Sequence, residues 1–283
     1  MIDKIASRTA LRVALHRAAH QLLDSPPIFA DPFAAALLGV TAEQLLADPG
    51  LLSPFGRAVR AFVAARSRRT EDRLAVAVAA GVRQYVVLGA GLDTFALRNP
   101  FPGLRVFEVD HPATQELKRE RISAAQLPAP SALAFVAVDF EQQALAQALE
   151  AAGFAAREPA FFSWLGVVPY LEPPVVFETL RFLASVGPSV EVVFDYSVDP
   201  SLLTGPERGF LEVSARKVAA AGEPFRSSFF PAQLQAELRR LGFEDLEDFG
   251  RQELNSLYCQ GRGDGLELRG DVGRLLSARR TAG

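Results

Sequence analysis

The sequence predicts an α/β fold: a parallel sheet covered by helices on both faces, with a helical N-terminal segment and an antiparallel C-terminal edge. Three observations predict it. From Arg83 to Asp195 short apolar strands alternate with helical stretches of ten or more residues, the pattern of a sheet buried on both sides. The first strand, Gln84-Tyr85-Val86-Val87-Leu88, runs directly into Gly89-Ala90-Gly91. Before Arg83 the chain shows helical spacing and no strand.

Taken in order, Leu11, Leu15, Ala18, Leu22 and Leu23 recur at helical spacing until Pro26-Pro27 ends the run. Asp31-Pro32 opens a short helix through Leu38, with Gly39 just past its end. Phe55 to Ala80 is a third helical region, dense in arginine. Strands are expected over 84–88, 104–109, 134–138, 160–168 and 191–194; the second closes on Asp110, the third on Asp139 and the fifth on Asp195. Helices are expected between them over 113–125, 142–152 and 173–185. In the tail a helix over 231–241 is opened by proline and closed by Gly242. Phe243 to Phe249 and Asn255 to Gln260 read as two strands close enough to pair antiparallel at the sheet edge. Residues 1–80 are expected to form a helical cap within one domain, and residues 81–283 its α/β core.

Composition narrows the chemistry. The 283 residues are 49% hydrophobic and 22% charged, with a mean hydropathy of +0.13, which provides a real core and argues against disorder. A net charge of −3 and a pI near 5.8 give no reason to expect nucleic acid or an anionic membrane as partner. One cysteine, Cys259, excludes an intramolecular disulfide and a thiolate zinc cluster. Three histidines without clustered carboxylates leave little for a histidine metal site, and no metal is expected. All but three of the 30 basic residues are arginine, a bias that with abundant alanine suggests a GC-rich genome. The N-terminus lacks the unbroken apolar run of a signal peptide, and the apolar stretches are too short to span a bilayer, so a soluble cytoplasmic protein is expected.

The chemistry concentrates at the strand ends. Glycine lets the backbone approach a ligand closely where the chain turns after a strand. Asp110, 21 residues beyond Gly89 at the end of the second strand, is placed to accept hydrogen bonds from ribose hydroxyls. Asp139, closing the third strand, is placed to receive an adenine amino group. Three successive strand ends thus suit three parts of an adenosine ligand. A dinucleotide site wants a third glycine near the pyrophosphate; here that position holds Thr94, and Asp93 sets negative charge where phosphates would sit. S-adenosyl-L-methionine has no phosphate and carries a cationic sulfonium, so it is the favoured ligand. A nicotinamide oxidoreductase is the disfavoured alternative.

The runs Ser7-Arg8-Thr9-Ala10, Ile28-Phe29-Ala30-Asp31-Pro32, Ala65-Arg66-Ser67-Arg68-Arg69-Thr70, Val87-Leu88-Gly89-Ala90-Gly91-Leu92-Asp93-Thr94 and Phe107-Glu108-Val109-Asp110-His111-Pro112 resemble the leucine carboxyl methyltransferase family, in its bacterial branch of S-adenosyl-L-methionine-dependent O-methyltransferases. Phe225 to Phe230 and Leu238 to Phe243 also resemble that branch, so the resemblance spans nearly the whole chain. It implies a class I methyltransferase: a Rossmann-like sheet of seven strands, the last antiparallel, under an N-terminal helical cap. It also implies that Arg66 binds the methionine carboxylate and that Gly89, Ala90 and Gly91 pass beneath the methionine part. Asp110 would hold the ribose, Asp139 and Phe140 the adenine, and Arg8 and Arg17 would lie over the donor or the substrate. One departure stands out: the eukaryotic enzymes carry a glutamate five residues before the tyrosine that matches Tyr170, and here that position is Leu165.

The remaining candidates divide between chemistry and packing. Among the six arginines from Arg57 to Arg73, Arg66 and then Arg69 are candidates for binding a carboxylate; the others read as a solvated helix face. His16 and His20 could share a helix face, and His111 follows Asp110 at the mouth of the sheet. Tyr170 and His111 are the candidate catalytic residues; Trp164 and Tyr170, in and beyond the fourth strand, are the candidates on the acceptor side. Cys259 reads as a small buried apolar residue. A sulfonium methyl is already activated, so the protein must chiefly align the reactants and exclude water. A carboxylate acceptor would need no base, whereas a hydroxyl would; the arginine-rich cap tips the expectation slightly toward carboxylate. The acceptor is expected to be a small molecule. A non-catalytic protein sensing the donor or its product is the alternative, motivated by Leu165.

Overall fold

The computed structural model describes residues 7–128, 130, 132–138 and 145–281. Five helices come first: α1 (Arg8–Leu23), α2 (Ala34–Leu38), α3 (Ala42–Ala47), α4 (Pro49–Leu52) and α5 (Pro54–Ala79). Then follow β1 (Gln84–Leu88), α6 (Phe95–Arg98), β2 (Arg105–Asp110), α7 (Pro112–Ala124), β3 (Leu133–Ala137), α8 (Leu145–Ala151), β4 (Ala160–Trp164), α9 (Pro173–Ala184) and β5 (Ser189–Ser197). The chain ends with α10 (Gly205–Ala220), α11 (Pro231–Arg240), β6 (Asp245–Phe249), α12 (Arg251–Tyr258) and β7 (Gly273–Thr281). The strands form one sheet in the order β3-β2-β1-β4-β5-β7-β6. The pairs from β3 to β5 are parallel, and β7 lies antiparallel between β5 and β6.

Every residue of β1 and β4 is buried, as expected for strands covered on both faces. Their side chains alternate between two cores. Val86, Leu88, Phe162 and Trp164 face one with Val176 and Leu180 of α9; Tyr85, Val87 and Phe161 face the other with Ala61, Ala64 and Leu74 of α5. A third cluster joins Ala14 and Ala18 of α1, Leu37 of α2 and Leu51 of α4 to Leu92, just beyond β1. The N-terminal helices therefore rest on the turn that leaves the first strand.

Polar contacts fix this packing. Asp24 accepts hydrogen bonds from His20 Nδ1 at 2.7 Å and from Arg60 Nε and Nη2 at 2.6 and 3.0 Å. His20 Nε2 accepts from the amides of Ile28 and Phe29, so this histidine is a structural clamp with both ring nitrogens engaged. Only Arg57 and Arg68 lie on the expected solvated face: Arg57 donates to the Asp264 carbonyl, and Arg68 pairs with Asp72 one turn along the same helix. Arg66 pairs with Asp195, Arg73 with Glu191 and Arg69 with Glu247, and these three hold α5 across β5 and β6.

The C-terminal edge corrects the expectation. Asn255 to Gln260 is not a strand; α12 ends at Tyr258, and Cys259, half-buried, is its C-terminal cap. The segment carries Leu254, Leu257 and Tyr258 at helical spacing, with Glu253 accepting from the Gly250 amide at 2.8 Å to start the helix. The edge strand's partner is β7, where Leu275, Leu276, Ser277 and Ala278 are all buried, so no alternation marks them. The fourth strand stops at Trp164 because Gly166 turns left-handed (φ +71°) and a 3-10 turn over 168–170 follows. The expected helix over 142–152 is present in its described part as α8. The helix α10 was not expected; it has no buried residue. No helix among the described residues is long and apolar enough to cross a membrane.

Replacing Asp24 with alanine leaves Arg60 buried without its carboxylate and is expected to cost about 3–5 kcal/mol. Denaturant unfolding measures it, and a loss well under about 1 kcal/mol would show that the clamp does not hold α1 to α5.

Candidate active site

The strand order reverses between β1 and β4, and in open α/β sheets ligands bind beyond the carboxyl ends of the strands at such a point. Here that crevice is a cavity of about 420 Å³, reached by residues of α1, α5 and the loops after β1, β2 and β4. Gly89 leaves β1 with φ +64°, and a Cβ built on it would lie 2.3 Å from Val167 Cγ2. The missing side chain thus makes room first for the loop after β4. Gly166 does the same for Arg66, whose Nη2 would lie 2.9 Å from a Cβ there.

Asp110 stands at the end of β2 with both oxygens held by backbone: Oδ2 accepts from the Gly91 amide at 2.5 Å and Oδ1 from the His111 amide at 2.6 Å. Burial pushes its carboxyl above the usual range, while these two amides and the Lys118 charge pull the other way. The fixed carboxylate faces the cavity beside Gly89, Ala90 and Gly91. His111 also lines it, but its Nδ1 accepts from the Ala113 amide at 3.2 Å and caps α7. That tautomer carries its proton on Nε2, which corrects the expectation of a proton acceptor there. Asp139 and Phe140 lie outside the described residues.

Arg17 and Arg66 flank the cavity and are both buried. Arg17 donates from Nη1 to Asp93 at 3.0 Å and from Nη2 to Asp31 and to Thr94 Oγ1 at 2.8 Å. Its guanidinium lines the first cavity with these hydrogen bonds committed to the protein. Asp93 is correspondingly neutralised: burial alone would raise its carboxyl pKa, but Arg17, Lys118 and Arg98 hold it below its ordinary value. The expected repulsion of a phosphate by Asp93 loses its force. Arg66 donates from Nη1 to Asp195 Oδ2 at 2.7 Å, and Asp195 Oδ1 accepts from the Gly166 amide at 2.5 Å. Among the described residues Arg66 Nη2 makes no hydrogen bond, leaving that edge available to a ligand.

A second cavity, of about 570 Å³, adjoins the first. Thr9, Val13, Arg66, Gly166 and Tyr170 line both, so they mark the boundary between the two. Beyond it the walls are aromatic, with Phe55, Phe62, Phe210 and Phe225, and the cations Arg8, Arg12, Lys217 and Arg269 are spread round them. Arg12 is paired with Asp48 and Arg269 with Glu267, whereas Arg8 and Lys217 have no carboxylate partner among the described residues. Trp164 is absent from both walls: it is fully buried under α9, which corrects its expected acceptor contact. Its neighbour along the strand end, Leu165, does line the first cavity, as do Glu71 and Glu223.

Three titratable groups bear on proton chemistry here. Burial pushes the Tyr170 phenol up to about 12, against the nearby Arg66 charge. His16, in the second cavity, is pushed down to about 3 by burial and then by Arg12 and Arg60. Asp195 has both oxygens engaged. Sequence reading gave Asp195, Gly166 and Glu223 no role at the site; Gly166, a glycine just past a strand like Gly89, carried a signal, and Glu223, whose Oε2 accepts the Thr9 amide at 2.8 Å, carried none.

The sheet order, the antiparallel strand between β5 and β6, and the glycine loop facing an acid at the next strand end define a class I S-adenosyl-L-methionine-dependent methyltransferase. The sequence model of the family "Leucine carboxyl methyltransferase" matches residues 10–184. The Bacillus subtilis (strain 168) protein named "Putative S-adenosyl-L-methionine-dependent methyltransferase YktD" is 32% identical over 92% of this chain and 94% of its own length. A Mycobacteroides abscessus protein named "Putative S-adenosyl-L-methionine-dependent methyltransferase" is 34% identical over 84% of this chain and 76% of its own length. Among solved structures, one described as "a putative methyltransferase" from Thermobifida fusca YX has the same fold, with a TM-score of 0.57 at 20% identity, over 88% of this chain and 93% of the other. The chain belongs to the leucine carboxyl methyltransferase family, and its methyl donor is S-adenosyl-L-methionine.

His16 gives a pH signature. Its ordinary value is 6.5 and its folded value about 3, so between the two the unfolded chain binds a proton that the folded chain does not. Stability therefore rises with pH across that window, by up to about 1.4 kcal/mol per pH unit, and is lost as the pH falls toward 3. Unfolding curves for His16→Gln between about pH 4 and 6 should lose that slope; parallel pH dependence in both proteins would show that His16 is not buried neutral.

Proposed function

We propose that the chain is an O-methyltransferase whose acceptor, a small molecule seated in the second cavity, offers a carboxylate oxygen rather than a hydroxyl. The observation that carries this reading is that none of the residues shared by the two cavities, Thr9, Val13, Arg66, Gly166 and Tyr170, is set to take a proton. Of the first cavity's glutamates, Glu71 accepts from Arg98 with both oxygens and Glu223 accepts the Thr9 amide with Oε2. The Tyr170 phenol, pushed up to about 12, stays protonated, and His16, pushed down to about 3, is too weak a base. His111 Nδ1 and both Asp195 oxygens are occupied. A hydroxyl acceptor would have to lose its proton during transfer, whereas a carboxylate is anionic at neutral pH.

When bound, the donor supplies a methyl group on a cationic sulfur, and transfer forms the new carbon–oxygen bond as the carbon–sulfur bond breaks, with no proton moved. Asp110 would receive the ribose hydroxyls, and the turn through Gly89, Ala90 and Gly91 would support the methionine part. The open edge of Arg66 would hold the methionine carboxylate. Asp139 and Phe140 retain their proposed adenine role from the family resemblance. Tyr170, at the boundary, would donate its phenolic hydrogen to the acceptor carboxylate and align it for in-line attack. It is a positioning donor rather than a base. Arg8 and Lys217, unpaired among the described residues, would draw an anionic acceptor toward the second cavity.

Asp110→Ala is expected to weaken binding of S-adenosylhomocysteine at least about tenfold by calorimetry; unchanged affinity would remove the ribose assignment. With labelled donor and a panel of small carboxylic acids and phenols, methyl esters are expected. Methylation of phenols alone would overturn the carboxylate reading. The rate with a reactive acid should be flat between about pH 6 and 9. Tyr170→Phe should lower kcat about tenfold or more without changing that profile; a profile that loses a basic limb in the variant would make Tyr170 a base.

A further inference from the structure

The helix α1 lies along both cavities, with Ala10, Ala14 and Arg17 lining only the first. Thr9 and Val13 line both, and Arg12 and His16 line only the second. His16 lies two turns beyond Thr9, a rise of about 10 Å. It is 3% exposed, its Nδ1 has no hydrogen-bond partner, and among the described residues neither ring nitrogen makes a hydrogen bond. Buried polar atoms are normally paired, and leaving one unpaired costs about 1–3 kcal/mol. His20, one turn further along the same helix, shows the ordinary outcome: both of its nitrogens are engaged. The two histidines differ in that only His16 faces a cavity.

We propose that His16 recognises the acceptor, through a hydrogen bond to a neutral hydroxyl or carbonyl group carried remote from the reacting carboxylate. The inference rests on the reading of the second cavity as the acceptor site and adds what occupies its far end. An uncharged imidazole among Arg12, Lys217 and Phe55 offers one donor and one acceptor but no charge, so it suits a neutral polar group. The walls of the same cavity carry Phe55, Phe62 and Phe210, which suit an apolar body. The substrate class is therefore an apolar carboxylic acid substituted at its distal end by a hydroxyl or keto group. An acid lacking that group would leave His16 unpaired, and sites built to bond a hydroxyl reject analogues that lack it.

The test uses the full chain, labelled S-adenosyl-L-methionine and straight-chain acids of six to twelve carbons, each with and without a terminal hydroxyl. The expected result is a preference of at least about tenfold in kcat/KM for the hydroxy acid at the best-fitting length. His16→Phe should collapse that preference, and His16→Gln, which keeps a donor and an acceptor, should restore part of it. A partial rescue confined to the selectivity ratio is a change that a merely structural role would not produce. Equal turnover of both acids by the wild-type chain, or a preference retained in His16→Phe, would overturn the proposal while leaving the carboxylate reading intact. Failure to methylate any acid, with S-adenosylhomocysteine still bound, would overturn the carboxylate reading itself and this inference with it.

Discussion

Arg17 lies between Asp31 and Asp93, with the Thr94 hydroxyl on the same nitrogen as Asp31, and both cavities take their position from that buried charge. One cation serves the chain that follows α1 and the loop that leaves β1. Burying Arg17 and Asp31 outright and Asp93 in part is tolerable only when the geometry leaves each of them bonded. Asp93 satisfies this with its other oxygen, which accepts from the Phe95 amide at 2.7 Å at the start of α6. Arg98 extends the cluster to Glu71 and Thr94. Once Arg17 is fixed, helix geometry sets the rest: residues three, four and seven or eight positions away fall on definite faces. Thr9, Val13 and His16 line the cavities because the helix that bears them is registered on the glycine loop.

The arginine excess thus has a structural side that composition alone did not reveal. Arg60, Arg66, Arg69 and Arg73 each meet a carboxylate from another part of the chain. A guanidinium can bond a carboxylate while packing over a ring, as Arg69 does: its Nη2 donates to Glu247 and its Cζ lies 4.6 Å from the Phe249 ring centre. Lysine is rare but not idle. Lys118 is fully buried and pairs with Glu108 on β2, two residues before Asp110.

Legibility followed the physics of each segment. Strands β1 to β5 were readable because each carries an apolar run bounded by a glycine, an acid or a turn. Of those acids Asp110 lines the first cavity and Asp195, inside β5 rather than at its end, the second. The segment that became α12 misled because Leu254, Leu257 and Tyr258 are few enough to fit either period, and only the Gly250–Glu253 contact decides. The strand β7 was hidden because its four buried residues sit between arginines and include a serine, Ser277, whose hydroxyl donates to Glu191. At the site, Asp110, Arg66 and the glycine loop were legible from spacing and family motifs. Ion pairs are not legible in that way. Nothing local in the sequence tells that Arg17 is occupied by Asp31 and Asp93, or that Trp164 points into the core, because both depend on contacts between distant segments.

The helix α10 has no buried residue, yet Phe210, Leu211, Ser214, Val218 and Ala221 at its end form one side of the second cavity. It is attached at few points: Glu207 accepts from the Asp271 amide at 3.0 Å, Phe210 stacks on Phe55 at 4.6 Å, and Lys217 lies 3.8 Å above the same ring. Substitutions on that inner face meet little of the penalty that a packed interior imposes. The donor cleft, by contrast, is enclosed by buried ion pairs and strand ends that tolerate almost no change. The molecule therefore divides into a tightly bonded half and an adaptable wall, so that the second cavity can be reshaped by redrawing one helix face while the first stays as it is.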